Sequence, residues 1–409
     1  MGIRRQKAVG VSGSLRCEGV GLRTVITVRT SICIVSHNGY GAITAAQKGF
    51  IGGVEWQTSL LARWLANRGH EVSFLTWDEG GPAEETINGI RIIKICRERA
   101  GLPGIRFFHP KWSGLISALR KADAEVYYHN CGECVTGQVA LWCRRQGRAF
   151  VFTAANDTDC NPKLPEFKYF KDRVLYRMGL RRADQIVVQT ATQREMLQSG
   201  FGLKSTVIPM PCQRPPDAPT HARLMPPSNR VLWLARVCPQ KRPDRLVDLA
   251  KCCPEFEFDM VGPHYQDPLS CKAVEDAKSL ANVTVHGPLP RDKVQILLSN
   301  AACLLSTSDY EGFPNTFLEA WSFGVPIIST FDPDQVIVRY RLGAIAPDIQ
   351  GLAAALRTML GDPGAYRNVS ENSLAYFESH HALEEVQPRF ERIFIEAASQ
   401  HRKLRIGRA

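Results

Sequence analysis

Glu311 and Glu319, separated by seven residues, are the pair in this chain most able to do chemistry. They lie in the run Thr307-Ser308-Asp309-Tyr310-Glu311-Gly312-Phe313-Pro314-Asn315-Thr316-Phe317-Leu318-Glu319-Ala320. The apolar stretch Ala301–Leu305 before it reads as a buried strand. The chain then turns through Glu311-Gly312-Phe313-Pro314, and a helix opens at Asn315. Pro314 suits that boundary, because its fixed φ and missing N–H are tolerated before or at a first helical turn. The first N–H groups of a helix lack partners and carry the positive end of its dipole. A diphosphate can therefore rest on the amides of Asn315, Thr316 and Phe317. A carboxylate repels a phosphate, so the natural partners of Glu311 and Glu319 are sugar hydroxyls, met from two directions. Taken by themselves, the two glutamates read first as solvated surface charges.

The surrounding string changes that reading. Glu-Gly-Phe-Pro-Asn-Thr-Phe-Leu-Glu-Ala, with Gly324-Val325-Pro326 downstream, resembles the donor-site signature of the family-4 retaining glycosyltransferases. The resemblance implies the GT-B architecture: two Rossmann-like α/β domains facing across a cleft, with a last helix crossing back to the first domain. It also implies a nucleotide-diphosphate sugar as donor substrate, with no further cofactor and no metal. In it Glu311 serves the donor sugar, Glu319 the ribose, and Gly312, Phe313 and Pro314 belong to the donor loop.

Arg236 and Lys241, in Ala-Arg-Val-Cys-Pro-Gln-Lys after the strand Val231–Leu234, resemble the family's phosphate pair. A fixed guanidinium and a mobile ammonium at one strand end can together neutralise a diphosphate leaving group. His286, Gly287 and Leu289, at another strand end, are candidates for the nucleobase pocket. A glycine pair such as Gly52-Gly53 faces the donor phosphate in the family. The glycine-rich segment around it follows a strand at 31–36 and precedes an apolar helix to 65, without Gly-x-Gly-x-x-Gly at the turn. The family often places a histidine after a later strand; this chain has Ala154-Ala155-Asn156-Asp157 there. His129, Asn156 and Asp157 are the acceptor-side candidates, though a loop histidine satisfied by its neighbours is the blander reading of His129.

These residues need a frame. Apolar strands alternate with helices from about residue 31 to 208 and again from 229, which argues for parallel sheets covered on both faces. Strands are expected at 89–95, 125–129, 149–153, 185–189 and 206–208, and later at 256–261 and 283–286. Prolines crowd residues 209–228, which reads as an extended, semi-rigid linker. The donor domain then spans 229–380, and a helix with the apolar stripe Phe390, Ile393, Phe394 and Ala397 leads into a basic tail over 381–409. Residues 1–30 read as a disordered extension rather than a signal peptide.

At 44% apolar and 22% charged residues the composition is that of a soluble globular protein. No apolar run approaches the roughly 20 residues of a membrane helix, so a cytoplasmic place is expected. The net charge of +11 favours anionic partners. With no recognisable nucleic-acid module, these are nucleotide-sugars and a weak contact with an anionic membrane. Thirteen scattered cysteines include one Cys-x-x-Cys, at Cys131 and Cys134, without the second pair of a zinc finger. The expected activity is glycosyl transfer to a glycan, lipid-linked or small-molecule acceptor, as in polysaccharide biosynthesis. An epimerase of the same architecture and an inert sugar-nucleotide-binding scaffold remain as alternatives.

Overall fold

Strands in which neighbouring residues feed opposite faces give each half of this chain two cores. The structure, a computed structural model, describes residues 29–44 and 52–406. The extension over 1–30 therefore lies outside the described residues, apart from Arg29 and Thr30. The first sheet contains β1 (Ser31–Val35), β2 (Glu71–Thr76), β3 (Glu84–Ile87), β4 (Ile90–Lys94), β5 (Val126–Asn130), β6 (Ala149–Thr153), β7 (Gln185–Val188) and β8 (Thr206–Val207). Its order is β3-β4-β2-β1-β5-β6-β7-β8, parallel except for the β3–β4 hairpin. That hairpin turns at Asn88-Gly89, both with positive φ, as a two-residue loop requires.

Along β1, Cys33 and Val35 join the core beneath helices Ser113–Ala122 and Cys134–Gln146, while Ile32 and Ile34 join the opposite one. The opposite core receives Leu61 and Leu65 of helix Gly53–Asn67 and, from the far end of the chain, Phe390, Ile393, Phe394 and Ala397 of helix Leu383–Ile406. The last helix thus packs on the first domain. Its end is tied there by Arg402, which donates to both oxygens of Glu125 at 2.6 and 2.7 Å.

The second sheet is wholly parallel: β9 (Arg230–Leu234), β10 (Glu257–Val261), β11 (Val283–Gly287), β12 (Cys303–Ser306), β13 (Ile327–Ser329) and β14 (Gly343–Ile345), in the order β11-β10-β9-β12-β13-β14. In each sheet the order reverses beside the first strand, between β1 and β5 and between β9 and β12. Loops leaving those strand ends are where an open parallel sheet binds ligands.

The proline-rich segment is not a free spacer. Met210, Cys212 and Ala218 are buried among residues of the second domain. Arg223 donates to the carbonyl oxygens of Leu298, Ala301 and Phe323 at 2.7–3.0 Å. Those oxygens end two helices, Arg291–Asn300 and Asn315–Ser322. Prolines lack N–H donors, so such a segment can lie against a domain without leaving donors unpaired. Arg223→Ala is expected to destabilise the second domain by about 3 kcal/mol, through the carbonyls left without partners. An unchanged urea midpoint would show that water replaces the guanidinium. Near the same segment Cys212 donates its N–H to His381 O at 2.8 Å, and the His381 ring contacts Met210 O at 2.8 Å.

Candidate functional site

The donor side is built from the loops that leave β9 and β12. Thr307, fully buried, ties them: its hydroxyl donates to Lys241 O at 2.7 Å and accepts from Trp233 Nε1 at 2.9 Å. Asp309 N–H donates to Gln240 O at 3.0 Å, and Gln240 Nε2 donates to Tyr310 O at 2.8 Å. This lacing brings Lys241 against Glu311 as an ion pair whose side chains are only 15% and 11% exposed. Ser308 Oγ donates to the same Glu311 oxygen at 2.7 Å. Arg236 is exposed, donating to Tyr265 Oη at 2.9 Å with its guanidinium 5.9 Å from that ring's centroid. The two cations thus sit at one strand end, Lys241 enclosed with Glu311 and Arg236 exposed on Tyr265.

Helix Asn315–Ser322 begins directly after Pro314 without a side-chain cap. Helix Gly53–Asn67 of the other domain, preceded by Gly52, also begins uncapped. The two N-termini meet: Gln57 Nε2 donates to Asn315 Oδ1 at 2.8 Å, and a Cβ on Gly53 would lie 2.2 Å from Asn315 Nδ2. The positive ends of two helix dipoles therefore come together at this contact. The Phe317 side chain is buried in the core and its N–H donates to Pro314 O at 3.1 Å, so that amide is already engaged.

Glu319 pairs with Arg291 at 3.2 Å, and burial pushes its carboxyl up, opposed by Arg291. The Arg291 guanidinium also stacks 4.1 Å from the centroid of Trp56, on the facing domain. Arg291 and Trp56 were not picked out in the sequence. An arginine beginning a helix, or a tryptophan inside an apolar one, carries no signal without a fold.

The nucleobase candidates divide. The His286 ring contacts Asp259 at 2.7 Å, and Asp259 also accepts two hydrogen bonds from Arg230 at 2.8 Å. Burial would raise the Asp259 carboxyl, but these partners hold it below the usual range. The His286 side chain is thus tied to a buried carboxylate through one ring nitrogen and stays partly exposed. Gly287 accepts from Gly262 N–H at 2.9 Å, and Leu289 packs on the core beside Phe317.

Across the cleft, Gly312 closes on the loop after β6. A Cβ there would meet Ala155 O at 2.8 Å and Asn156 Cα at 3.2 Å. The backbone of Ala155 and Asn156 makes this contact. Gly312→Ala is expected to hold the domains apart and lower kcat/KM about tenfold, since small misplacements of reacting groups are costly. Transfer kinetics equal to wild type would show that this approach is not required.

Asn156, which is exposed, caps the short helix Asp157–Cys160 in a reciprocal box with Asp159. Asp159 accepts from Ala155 and Asn156 N–H, and burial lifts its carboxyl to about 6. Asp157 accepts from Gln193 Nε2 at 3.1 Å; burial raises it too, with smaller contributions from Asp334 and Glu311 of the facing domain. A further cross-domain tie is Asp334, which accepts from Ala191 N, Thr192 N and Thr192 Oγ1 at 2.5–3.0 Å.

His129 lies inside β5 and is buried, with Nδ1 3.1 Å from Thr136 Oγ1. Together with His37 and Glu133 it forms a group whose ligand-type atoms lie within 4.8 Å of one another. Burial pushes both imidazoles down to about 3, so they stand neutral at the β1–β5 reversal. Such a cluster can accept hydroxyl hydrogens. His37 and Glu133 escaped sequence reading because only the sheet order brings the ends of β1 and β5 together. Burial raises the Cys134 thiol to about 12 and pushes Cys131 well above its ordinary value, so this Cys-x-x-Cys holds no ready thiolate.

Comparison with known proteins agrees with this geometry. Residues 51–212 match the family described as Glycosyltransferase Family 4, and residues 222–375 match Glycosyl transferases group 1. A lipopolysaccharide 1,6-galactosyltransferase of Salmonella typhimurium is 36% identical over 95 residues, 22% of this chain. The match spans about a quarter of that relative's length (26%). Sucrose-phosphate synthase from Thermosynechococcus elongatus superposes with a TM-score of 0.73 at 20% identity, covering 91% of this chain and all of that one. Anabaena HepE in complex with UDP and glucose gives 0.69 at 14% identity, covering 89% and 99%. WaaG, a glycosyltransferase involved in lipopolysaccharide biosynthesis, gives 0.65 at 16%, covering 89% and 99%. At such identities these structures speak for the fold alone. With one family match on each domain and the double parallel-sheet fold, the chain belongs to the group 1 glycosyltransferases, enzymes of GT-B architecture.

Proposed function

We propose that this protein transfers a sugar, with retention at the anomeric carbon, from a nucleotide-diphosphate sugar held between its two domains. The observation that carries this is the meeting of the Gly53 and Asn315 helix N-termini, with Lys241 held on Glu311 in the loop that leads into the second of these helices. Two helix dipoles, Lys241 and Arg236 at the end of β9 are the groups this reading offers to an anion. HepE, which shares the fold, is described with UDP and glucose in complex. Arg236 and Lys241 take the diphosphate, Glu319 the ribose hydroxyls, and Glu311 the hydroxyls of the donor sugar beside the forming oxocarbenium. Both glutamates exchange a protein cation for the ligand, Arg291 in one case and Lys241 in the other.

In this reading no protein nucleophile intervenes. The acceptor hydroxyl therefore attacks from the side of the departing phosphate: the C1–O bond to the phosphate breaks, the bond to the acceptor oxygen forms, and the hydroxyl proton passes to the phosphate. The acceptor, a glycan, a lipid-linked saccharide or a small molecule, enters toward His129, His37 and Asp157. We place the protein in the cytoplasm, at the inner face of a membrane; no helix among the described residues is long and apolar enough to cross one.

A thermal-shift series with UDP-, GDP- and ADP-sugars, followed by transfer assays, tests this. A ligand at 100 times its Kd stabilises by about 2.7 kcal/mol. No stabilisation by any of them overturns the reading. Free nucleotide with an isomerised sugar and no acceptor product identifies an epimerase, and binding without turnover a scaffold. Transfer is also expected to persist in EDTA, because side chains and helix ends supply the charge that a metal otherwise gives. Activity lost in EDTA and restored by Mg²⁺ or Mn²⁺ would count against it.

A further inference from the structure

We propose that the first domain docks on an anionic lipid bilayer through one face, formed by residues 97–112 and 162–174. Among the described residues, twelve large apolar or aromatic side chains are strongly exposed, and six of them lie here: Leu102, Ile105, Phe108, Tyr169, Phe170 and Val174. Phe170 is 81% exposed and Leu102 70%. Scattered single apolar residues are ordinary on a surface; half of them gathered in one place mark a contact. The two segments are one surface, because Lys171 Nζ lies 4.0 Å from the Phe107 ring centroid and 5.8 Å from that of Tyr169. Phe107 and Phe108 pack on Trp112 with centroids 5.6 and 6.4 Å away, which stiffens the base beneath the exposed tips.

Charge identifies the occupant. The two segments contain eight Lys or Arg against three Asp or Glu. Four of those cations are Lys111, Lys163, Lys168 and Lys171. Protein interfaces are depleted in lysine at their centres. Lysines interleaved with Phe, Tyr and Leu instead suit a bilayer surface, where rings enter the headgroup layer and ammonium groups meet anionic lipids.

The face borders the cleft on its acceptor side. Lys111 lies 5.2 Å from the centroid of Trp77, and Trp77 stacks on His37 at 4.2 Å. An enzyme seated this way turns the β1–β5 strand ends toward the membrane. Only that last link rests on the proposed transfer reaction; lipid binding is read without turnover, so either reading can fail alone.

The test is sedimentation of the full chain with vesicles of phosphatidylcholine containing about 30% phosphatidylglycerol, against phosphatidylcholine alone. Wild type is expected to bind the anionic vesicles, and less as salt rises. Phe108→Ser/Phe170→Ser is expected to weaken binding tenfold or more with unchanged circular dichroism and Tm. Lys163→Glu/Lys168→Glu is expected to remove the preference for anionic lipid. Wild type that ignores anionic vesicles, or a double serine variant that binds like wild type, overturns the proposal. So does self-association of the wild type that the serine variant abolishes while neither binds lipid, which would make the face a protein interface.

Discussion

Glu311→Gln is expected to lower kcat by about two orders of magnitude while leaving nucleotide affinity close to wild type. A carboxylate beside the anomeric carbon matters most when positive charge develops there, so its loss falls on the transition state. The structure adds a reason for unchanged binding. Glu311 holds Lys241 as an ion pair, and neutralising it releases the ammonium for phosphate. Glu319→Gln is expected to act differently, raising KM through the lost ribose contacts. Steady-state transfer and nucleotide titration on both variants decide. Equal losses of nucleotide affinity would make Glu311 a binding residue only, and its mechanistic role would fall.

Arg236→Ala and Lys241→Ala are each expected to weaken nucleoside-diphosphate binding by about 1.5–3 kcal/mol, the range of charge-assisted hydrogen bonds. They should differ in kcat. Arg236 is exposed and touches only Tyr265 among the contacts described, so its removal is a loss of affinity. Lys241 is enclosed with Glu311, so its removal also leaves a carboxylate uncompensated and free to turn from the sugar. Calorimetry showing wild-type affinity in the double variant would take both residues out of the site.

The donor motif was legible because strand, turn, proline and helix start follow one another in the sequence, whereas the bonds that lace Thr307 to Trp233 and Glu311 to Lys241 join distant segments. The parallel sheets were legible for the same reason, since strands buried on both faces read as unbroken apolar runs. β3 was missed because Glu84-Glu85-Thr86-Ile87 is half-exposed and carries no such run, although Asn88-Gly89 announces the turn. Helix Pro268–Lys278 buries only small residues such as Ala273 and Ala277, and helix Arg291–Asn300 little beyond Leu298, so neither writes a strong stripe into the sequence. The tie between His286 and Asp259 was not read, because the two lie on neighbouring strands. Other contacts between distant segments also stayed hidden: Arg291 on Trp56, Asp334 on the helix at Ala191, and Arg223 on three helix-end carbonyls.

The chain passes between the domains twice, at Met210–Cys212 and at His381–Ala382, and the two passages are paired side by side. A body attached to another along one short line keeps a single easy rotation, about that line, and loses sliding and twisting. Opening and closing then form one coordinate. Any ligand that touches both halves pushes on that same coordinate, so a sugar nucleotide that draws the halves together also prepares the acceptor face. An acceptor that favours the same closed arrangement would, by reciprocity, tighten the sugar nucleotide by the same factor.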